Sequence, residues 1–252
     1  MTAEGAIASF LAQAGARPKA GDPVSAHVDM AASLGLLVAF LSGKKIRDLA
    51  EITPRVLRDF IARWYVEEAT FPSQTRYQLH ASSELSGPCS ALLPEPLELM
   101  RVLDIFWDWI DRHDSTGTPG ILREVVSELG STMPRAVEIG RALSLHVIER
   151  GGAFAFPEFL SSFEEGGQSQ YDIDTPGDVG ALESYFRITR IEGERAEVED
   201  VITEERIWPV LFPVEIARRL GPGFVINLEL VRSLQLWHIV DCGFTYPPGT
   251  EF

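Results

Sequence analysis

The stretch ESYFRITRIEGERAEVEDVI, Glu183 to Ile202, decides the fold. Two runs rich in β-branched and aromatic residues, Glu183–Ile191 and Arg195–Ile202, flank Glu192-Gly193-Glu194. Period-two runs on either side of a short glycine turn predict a β-hairpin. The same period continues downstream. RIWPVLFP (Arg206–Pro213) predicts a third strand. Pro209 restricts it to an edge or a bulge, because proline donates no ladder hydrogen bond. VEIARRL (Val214–Leu220) predicts one or two helical turns, closed by Gly221-Pro222-Gly223. FVINLELV (Phe224–Val231) and LWHIVDCGFTYPP (Leu236–Pro248) bring the total to about five strands. Five short strands with one helical turn predict a small antiparallel β-barrel of the SH3 or OB kind over residues 181–252. Its predicted core is Phe186, Ile188, Val198, Leu211, Phe224, Ile226, Leu228, Trp237, Ile239 and Phe244.

Upstream of the hairpin the period changes to that of helices. In DLAEITPRVLRDFIARWY (Asp48–Tyr65), Thr53 is placed to be an N-cap, with Pro54 at the first helical position. Ile52 and Leu57 occupy the staple positions, while Val56 stands where a capping-box acid would be. Val56, Leu57, Phe60, Ile61 and Trp64 form the predicted apolar face. Arg55, Asp59, Arg63 and Glu67 alternate in sign along the other side. PLELMRVLDIFWDWIDRHD (Pro96–Asp114) predicts a second strong helix, with Leu99, Val102, Leu103, Phe106, Trp107 and Ile110 as its stripe. Further helices are predicted at Glu4–Gly15, Val24–Leu41, Ile121–Leu129 and Arg135–Glu149.

The fold class is therefore α+β: a helical bundle over 1–150, an acidic connector with glycine pairs and prolines over 151–180, and the barrel over 181–252. One short helix is expected near Phe159. The 252 residues suffice for two modules with sound cores. No apolar run approaches the roughly 18 residues of a membrane span, so no membrane association is expected. The N-terminus has no basic region followed by a long apolar one, which argues against a secretory signal. Cys89 and Cys242 are two distant cysteines and make no disulfide framework, and a reducing cytoplasm is the expected location.

The formal charge is -15, and it is uneven. Residues 1–150 carry 15 basic and 19 acidic side chains; residues 151–252 carry 7 and 18. Such acidity repels nucleic acid and anionic lipid. Only Phe40–His80 is locally basic, with 7 basic against 5 acidic residues. Lys44, Lys45, Arg47, Arg55, Arg58 and Arg76 are thus the candidate nucleic-acid contacts, set against Asp48, Glu51, Asp59, Glu67 and Glu68.

Catalytic patterns are missing. His27, His80, His113, His146 and His238 include no pair at the spacing of a helical zinc site, and no CxxC occurs. No nucleophile elbow, phosphate-binding loop or dinucleotide fingerprint is present. Asp104, Asp108 and Asp111 share one helical face that could hold a hard cation, or could be a solvated face opposite the apolar stripe. No catalytic residue, metal or cofactor is expected. Ile105 and Trp109 lie outside the main stripe, as a second packing face or a partner-binding patch.

HVDMAASLGLLVAFLSG (His27–Gly43), IRDLAEITPRVLRDFIARWY (Ile46–Tyr65), PSQT (Pro72–Thr75) and LMRVLDIFWDWIDRHD (Leu99–Asp114) together resemble the N-terminal core-binding domain of tyrosine recombinases. The resemblance rests on Ile52-Thr53 before a helix, on Ser73 and Thr75, and on Phe106–Ile110, and spans roughly 27–114. It implies a SAM-like helical bundle with a DNA-binding ancestry. Residues 76–96 read as an insertion in that pattern. The recombinase catalytic half has no counterpart: in HVIER (His146–Arg150) the arginine falls one place late, and strands follow. The leading expectation is a non-enzymatic binding or scaffold protein with a protein partner. DNA binding through the Lys44–Arg76 region is the alternative, and a metal hydrolase at Asp104, Asp108 and Asp111 is the remote one.

Overall fold

A computed structural model describes residues 1–16, 24–70, 93–113, 118–149, 181–233 and 235–252. Arg76, His80, Cys89, the 151–180 connector and the helix expected near Phe159 lie outside the described residues. The architecture is α+β: helices first, then a five-stranded mixed sheet. The chain divides into two compact units, Met1–Val137 and Glu138–Phe252.

The first unit begins with α1 (Ala3–Ala16) and α2 (Val24–Gly43). A 3-10 turn, Leu49–Glu51, leads to α3 (Pro54–Asp59). Thr53 caps α3 as expected, its Oγ1 accepting the Val56 amide at 3.3 Å. A π turn, Phe60–Trp64, then passes into α4 (Tyr65–Thr70). The π turn alters the expected stripe. It inserts one residue per turn and rotates the residues beyond it about the helix axis. Trp64 is therefore half-buried, while Tyr65, Val66 and Ala69 face the core. Phe40 packs on Phe60 at 5.3 Å and on Trp64 at 5.8 Å.

Helix α5 (Pro96–His113) buries all six residues of its predicted stripe. Each such side chain contributes about 1.5–3 kcal/mol on burial. It packs on α6 (Thr118–Leu129), α2 and α1, with the Phe10 and Phe106 rings 5.5 Å apart. Helix α7 (Thr132–Glu149) starts three residues before the expected Arg135. Pro134 lies within its first turn, where a missing N–H costs nothing, so proline does not delay the helix.

In the second unit, β1 (Ala181–Glu192) turns at Gly193 (φ 64°) into β2 (Arg195–Asp200), as the hairpin pattern requires. Strand β3 (Arg206–Leu211) follows, then the short helix α8 (Val214–Ala217), β4 (Val225–Ser233) and β5 (Leu236–Tyr246). The pairing order β1-β2-β3-β5-β4 returns to β1, so every strand has two neighbours. The sheet is mixed rather than wholly antiparallel, which corrects the expectation. Strand β4 pairs with β1 after the α8 crossover, and β5 then runs parallel to β3 through Val210↔Trp237 and Leu211↔His238. Pro209 sits where the β2–β3 register shifts, the bulged placement that its missing N–H demands.

Phe186, Ile188, Val198, Phe224, Ile226 and Leu228 are buried as expected, whereas Leu211, Trp237, Ile239 and Phe244 are only partly covered. Strand β5 shifts register twice against β4, and each shift breaks the simple alternation of inward and outward residues. Within this unit Ser144 of α7 meets the buried Cys242 of β5, Oγ to Sγ 3.7 Å.

Candidate binding surface

The outer face of β1, β2 and β3 carries two cross-strand rows of charge. In the first, Glu199 of β2 stands between Arg187 of β1 and Arg206 of β3 in direct register. Arg187 Nη1 reaches Glu199 Oε1 at 3.2 Å, and Arg206 Nε lies 3.4 Å from Oε2. In the second row Glu197 stands opposite Arg190, with contacts of 3.8 Å to both Arg190 and Arg206. Thr189 donates its hydroxyl to Glu197 Oε1 at 3.0 Å, and Arg190 also pairs with Glu192 at 3.1 Å.

Trp208 lies among these groups, with the Arg190 guanidinium 4.8 Å from its ring centroid. It is 37% exposed, a large share for a tryptophan in a strand. Alternation turns Trp208 outward next to the buried Ile207, and the register shift at Pro209 brings Val210 back to the inner face.

The layering within the face decides its character. The glutamates are the lower layer, with side chains 18% and 21% exposed for Glu199 and Glu197. The arginines lie above, at 42%, 53% and 67% for Arg187, Arg190 and Arg206. The solvent-facing layer is thus made of the three arginines and Trp208, with Glu192 exposed beside Arg190 at the hairpin end, on a chain of net charge -15.

The other side of β1 is organised differently. Glu183 (β1) stands opposite Glu229 (β4), and Glu229 opposite Asp241 (β5). Burial, then the repulsion of Glu229 and Glu183, raises the Asp241 carboxyl to about 6, although the Cys242 amide donates to it. Burial and Glu183 also raise Glu229. Burial pushes the Cys242 thiol up to about 12, so the thiolate that a nucleophile requires is disfavoured.

The described residues singled out from sequence as candidate contacts all belong to the helical unit. Lys44 pairs with Asp59 at 2.8 Å. Arg58 forks onto Glu128 at 2.5 and 3.2 Å, and that bond holds the Glu128 carboxyl below its usual range. Lys45 occupies the turn after α2 with φ 61°. Arg47 gives its backbone N–H to Glu51, whose carboxylate is lowered by the amides of Asp48 and Arg47. Arg55 lies exposed on the first turn of α3 and has interactions of its own. Ile105 is exposed on α5. Trp109 is half-buried against α1, its Nε1 donating to Gln13 Oε1 at 3.0 Å and its ring 5.7 Å from Phe10.

Arg123 of α6 bonds Asp104 at 3.0 Å and Asp108 at 2.9 Å, so a fixed cation already neutralises two of the three aspartates. Asp104, Asp111, Arg123 and Glu124 line an open groove of about 590 Å³. Among the described residues no group of three or more His, Cys, Asp or Glu side chains could hold a metal ion. No described helix is long and apolar enough to cross a membrane.

The face around Trp208 was not singled out by sequence reasoning. Its signal was present: Glu197 and Glu199 at alternate positions of β2, with arginines on the outward positions of both flanking strands. Only the register shows that they interleave. Compared with protein-family models, curated proteins and solved structures, the chain matches none.

Proposed function

We propose that this chain is a non-enzymatic binding protein that engages a protein partner through the outer face of β1–β2–β3. The observation that carries this reading is Trp208, exposed and covered by the guanidinium of Arg190, itself a member of the arginine–glutamate lattice. Tryptophan and arginine dominate the energetic centres of protein interfaces. A side chain already held in place loses less freedom on binding, so more of the contact energy becomes affinity.

The pairing order and the helical turn between β3 and β4 support an OB-like rather than an SH3-like barrel. Barrels of that kind present the face of strands 2 and 3 to ligands, an argument by analogy of fold. We read the helical unit as SAM-like, a supporting bundle. Its basic cluster is a weaker candidate for contact with DNA, because Lys44 and Arg58 already pair with Asp59 and Glu128.

The test is affinity capture with wild type and with Trp208→Ala, followed by reconstitution of each captured protein, purified, by calorimetry. A direct complex weakened about tenfold or more by Trp208→Ala supports the reading. If every reconstituted complex tolerates Trp208→Ala, the face is not the docking surface.

A further inference from the structure

We infer that the partner presents an acidic, extended segment to this face, its carboxylates forking onto Arg187, Arg190 and Arg206 while an apolar side chain covers Trp208. The inference rests on the reading of this face as a docking surface. It comes from which atoms an approaching chain meets first. The three guanidinia lie outside Glu197 and Glu199, and of the carboxylates that pair with them only Glu192, at the hairpin end of β1, is as exposed as its arginine. A basic segment would meet arginine and reach Glu197 and Glu199 only by displacing it. An acidic segment meets donors directly.

Those donors are not used up. The ion pairs within the face take one nitrogen of Arg187, two of Arg190 and two of Arg206. A guanidinium offers five N–H donors in a planar fork, a geometry that matches a carboxylate. Glu197 and Glu199 thus fix the arginines in position while leaving donors for a second carboxylate. The ring of Trp208 supports Arg190 in the same way. Charge-assisted bonds of this kind are about twice as strong as neutral ones.

The spacing suits an extended chain. The rows Arg187–Glu199–Arg206 and Arg190–Glu197 succeed one another along the strands. Alternate side chains of an extended peptide recur about every 7 Å, the same repeat as alternate positions of a strand.

A single-stranded nucleic acid also offers anions and apolar surface, and two observations weigh against it. Proteins that track single strands stack successive bases on successive aromatic rings. Two rings face outward on β1, β2 and β3, Trp208 and Tyr185, and Tyr185 is packed on Phe252 at 4.9 Å, which leaves Trp208 as the ring beside the arginines. The net charge of -15 repels an anion in proportion to its charge, so it opposes a long polyanion more than a segment with a few carboxylates.

The experiment uses the full chain and fluorescence anisotropy at about 50 and 200 mM salt, the range in which charge contacts reveal themselves. The probes are a labelled short peptide of glutamates around one tyrosine, its lysine and serine counterparts, and oligothymidylate. The expected result is binding of the glutamate peptide and none of the lysine peptide. Arg190→Gln with Arg206→Gln is expected to weaken binding about tenfold, with an unchanged melting transition, and Arg190→Lys with Arg206→Lys to fall between. Absence of glutamate-peptide binding overturns the inference, as does equal or tighter binding of the lysine peptide or oligothymidylate. If the serine peptide binds as well, loses affinity with Trp208→Ala and ignores the arginine variants, the docking face stands and the acidic partner does not. If Trp208→Ala changes the binding of none of these probes, the docking reading fails as well.

Discussion

Glu229 of β4 stands directly opposite Asp241 of β5, and its other cross-strand neighbour is Glu183 of β1. Like charges in register repel, and the outward positions flanking this row on β1 and β4 are Ala181, Tyr185, Asn227 and Val231, none of them cationic. Burial first, and then this repulsion, raises the Asp241 carboxyl to about 6 in the folded chain, against an ordinary 3.8. A carboxyl raised on folding binds its proton more tightly in the native state. Its ionisation weakens the fold as pH rises through about 6, and stability is regained as pH falls from there toward the ordinary value. The melting temperature of the barrel unit is expected to be higher at about pH 5 than at about pH 7. Asp241→Asn should flatten that slope and stabilise the protein at neutral pH by on the order of 1 kcal/mol, allowing for solvent screening. Thermal unfolding across this range, with Glu251→Gln as a control for net charge, decides the matter. An unchanged slope in Asp241→Asn removes the row as its source.

Gly243 and Asn227 form a close contact on the same two strands. A Cβ at Gly243 would overlap Asn227 Oδ1 and lie 3.1 Å from its Cγ. Gly243→Ala therefore forces Asn227 off its place, where its Nδ2 donates to the Ser184 carbonyl at 3.4 Å. A loss of about 1–3 kcal/mol is expected, as for other overpacked sites. Asn227→Ala in the same chain should recover most of it. Denaturant unfolding of the two single variants and the double variant gives the coupling energy directly. Additive effects would mean that the alanine is tolerated by a different route.

Lys45 holds φ 61° without being glycine, at the turn that ends α2. Its amide donates to the Ser42 carbonyl and the Ile46 amide to that of Leu41, both closing the helix end. A left-handed backbone costs an L residue with a Cβ about 1–2 kcal/mol, and glycine avoids that cost. Lys45→Gly is expected to raise the stability of the helical unit by about 0.5–1 kcal/mol, with Lys45→Asn giving part of the gain. If Lys45→Gly melts lower than wild type, the lysine side chain contributes more than its backbone strain costs.

Much of this architecture obeys local rules and was legible from residue types alone. Thr53 and Pro54 mark a helix start whatever surrounds them, and the α5 stripe from Leu99 to Ile110 states its own period. The Gly193 hairpin is equally local. What sequence could not supply was relational. The π turn at Phe60–Trp64 depends on how the two halves of the helix fit the core, so the burial of Tyr65 in place of Trp64 had no local sign. Strand β5 could pair in parallel only with a neighbour that the α8 crossover had left exposed. The Trp208 face needed the β1–β2–β3 register before its arginines and glutamates could be seen to interleave. For the same reason Asp104 and Asp108, which sequence left open as cation ligands, became the partners of Arg123, a residue of another helix.

The start of α3 tests the local kind of reading most directly. Thr53 Oγ1 accepts the Val56 amide, one of the donors that a first helical turn leaves without a partner. Thr53 is exposed, so its replacement changes little besides this bond. Thr53→Ala is expected to cost about 1 kcal/mol, whereas Thr53→Asp keeps an acceptor at the cap and adds a negative charge at the positive end of the helix. The buried residues just beyond, Leu57 and Phe60, tie this short helix to the core, so fraying at the cap is felt in the stability of the unit. Thermal unfolding should rank wild type and Thr53→Asp together above Thr53→Ala. Hydrogen exchange at the Val56 amide should accelerate in the alanine variant alone. Equal melting of all three would mean that Pro54 and the packing of Leu57 hold the helix start without the cap.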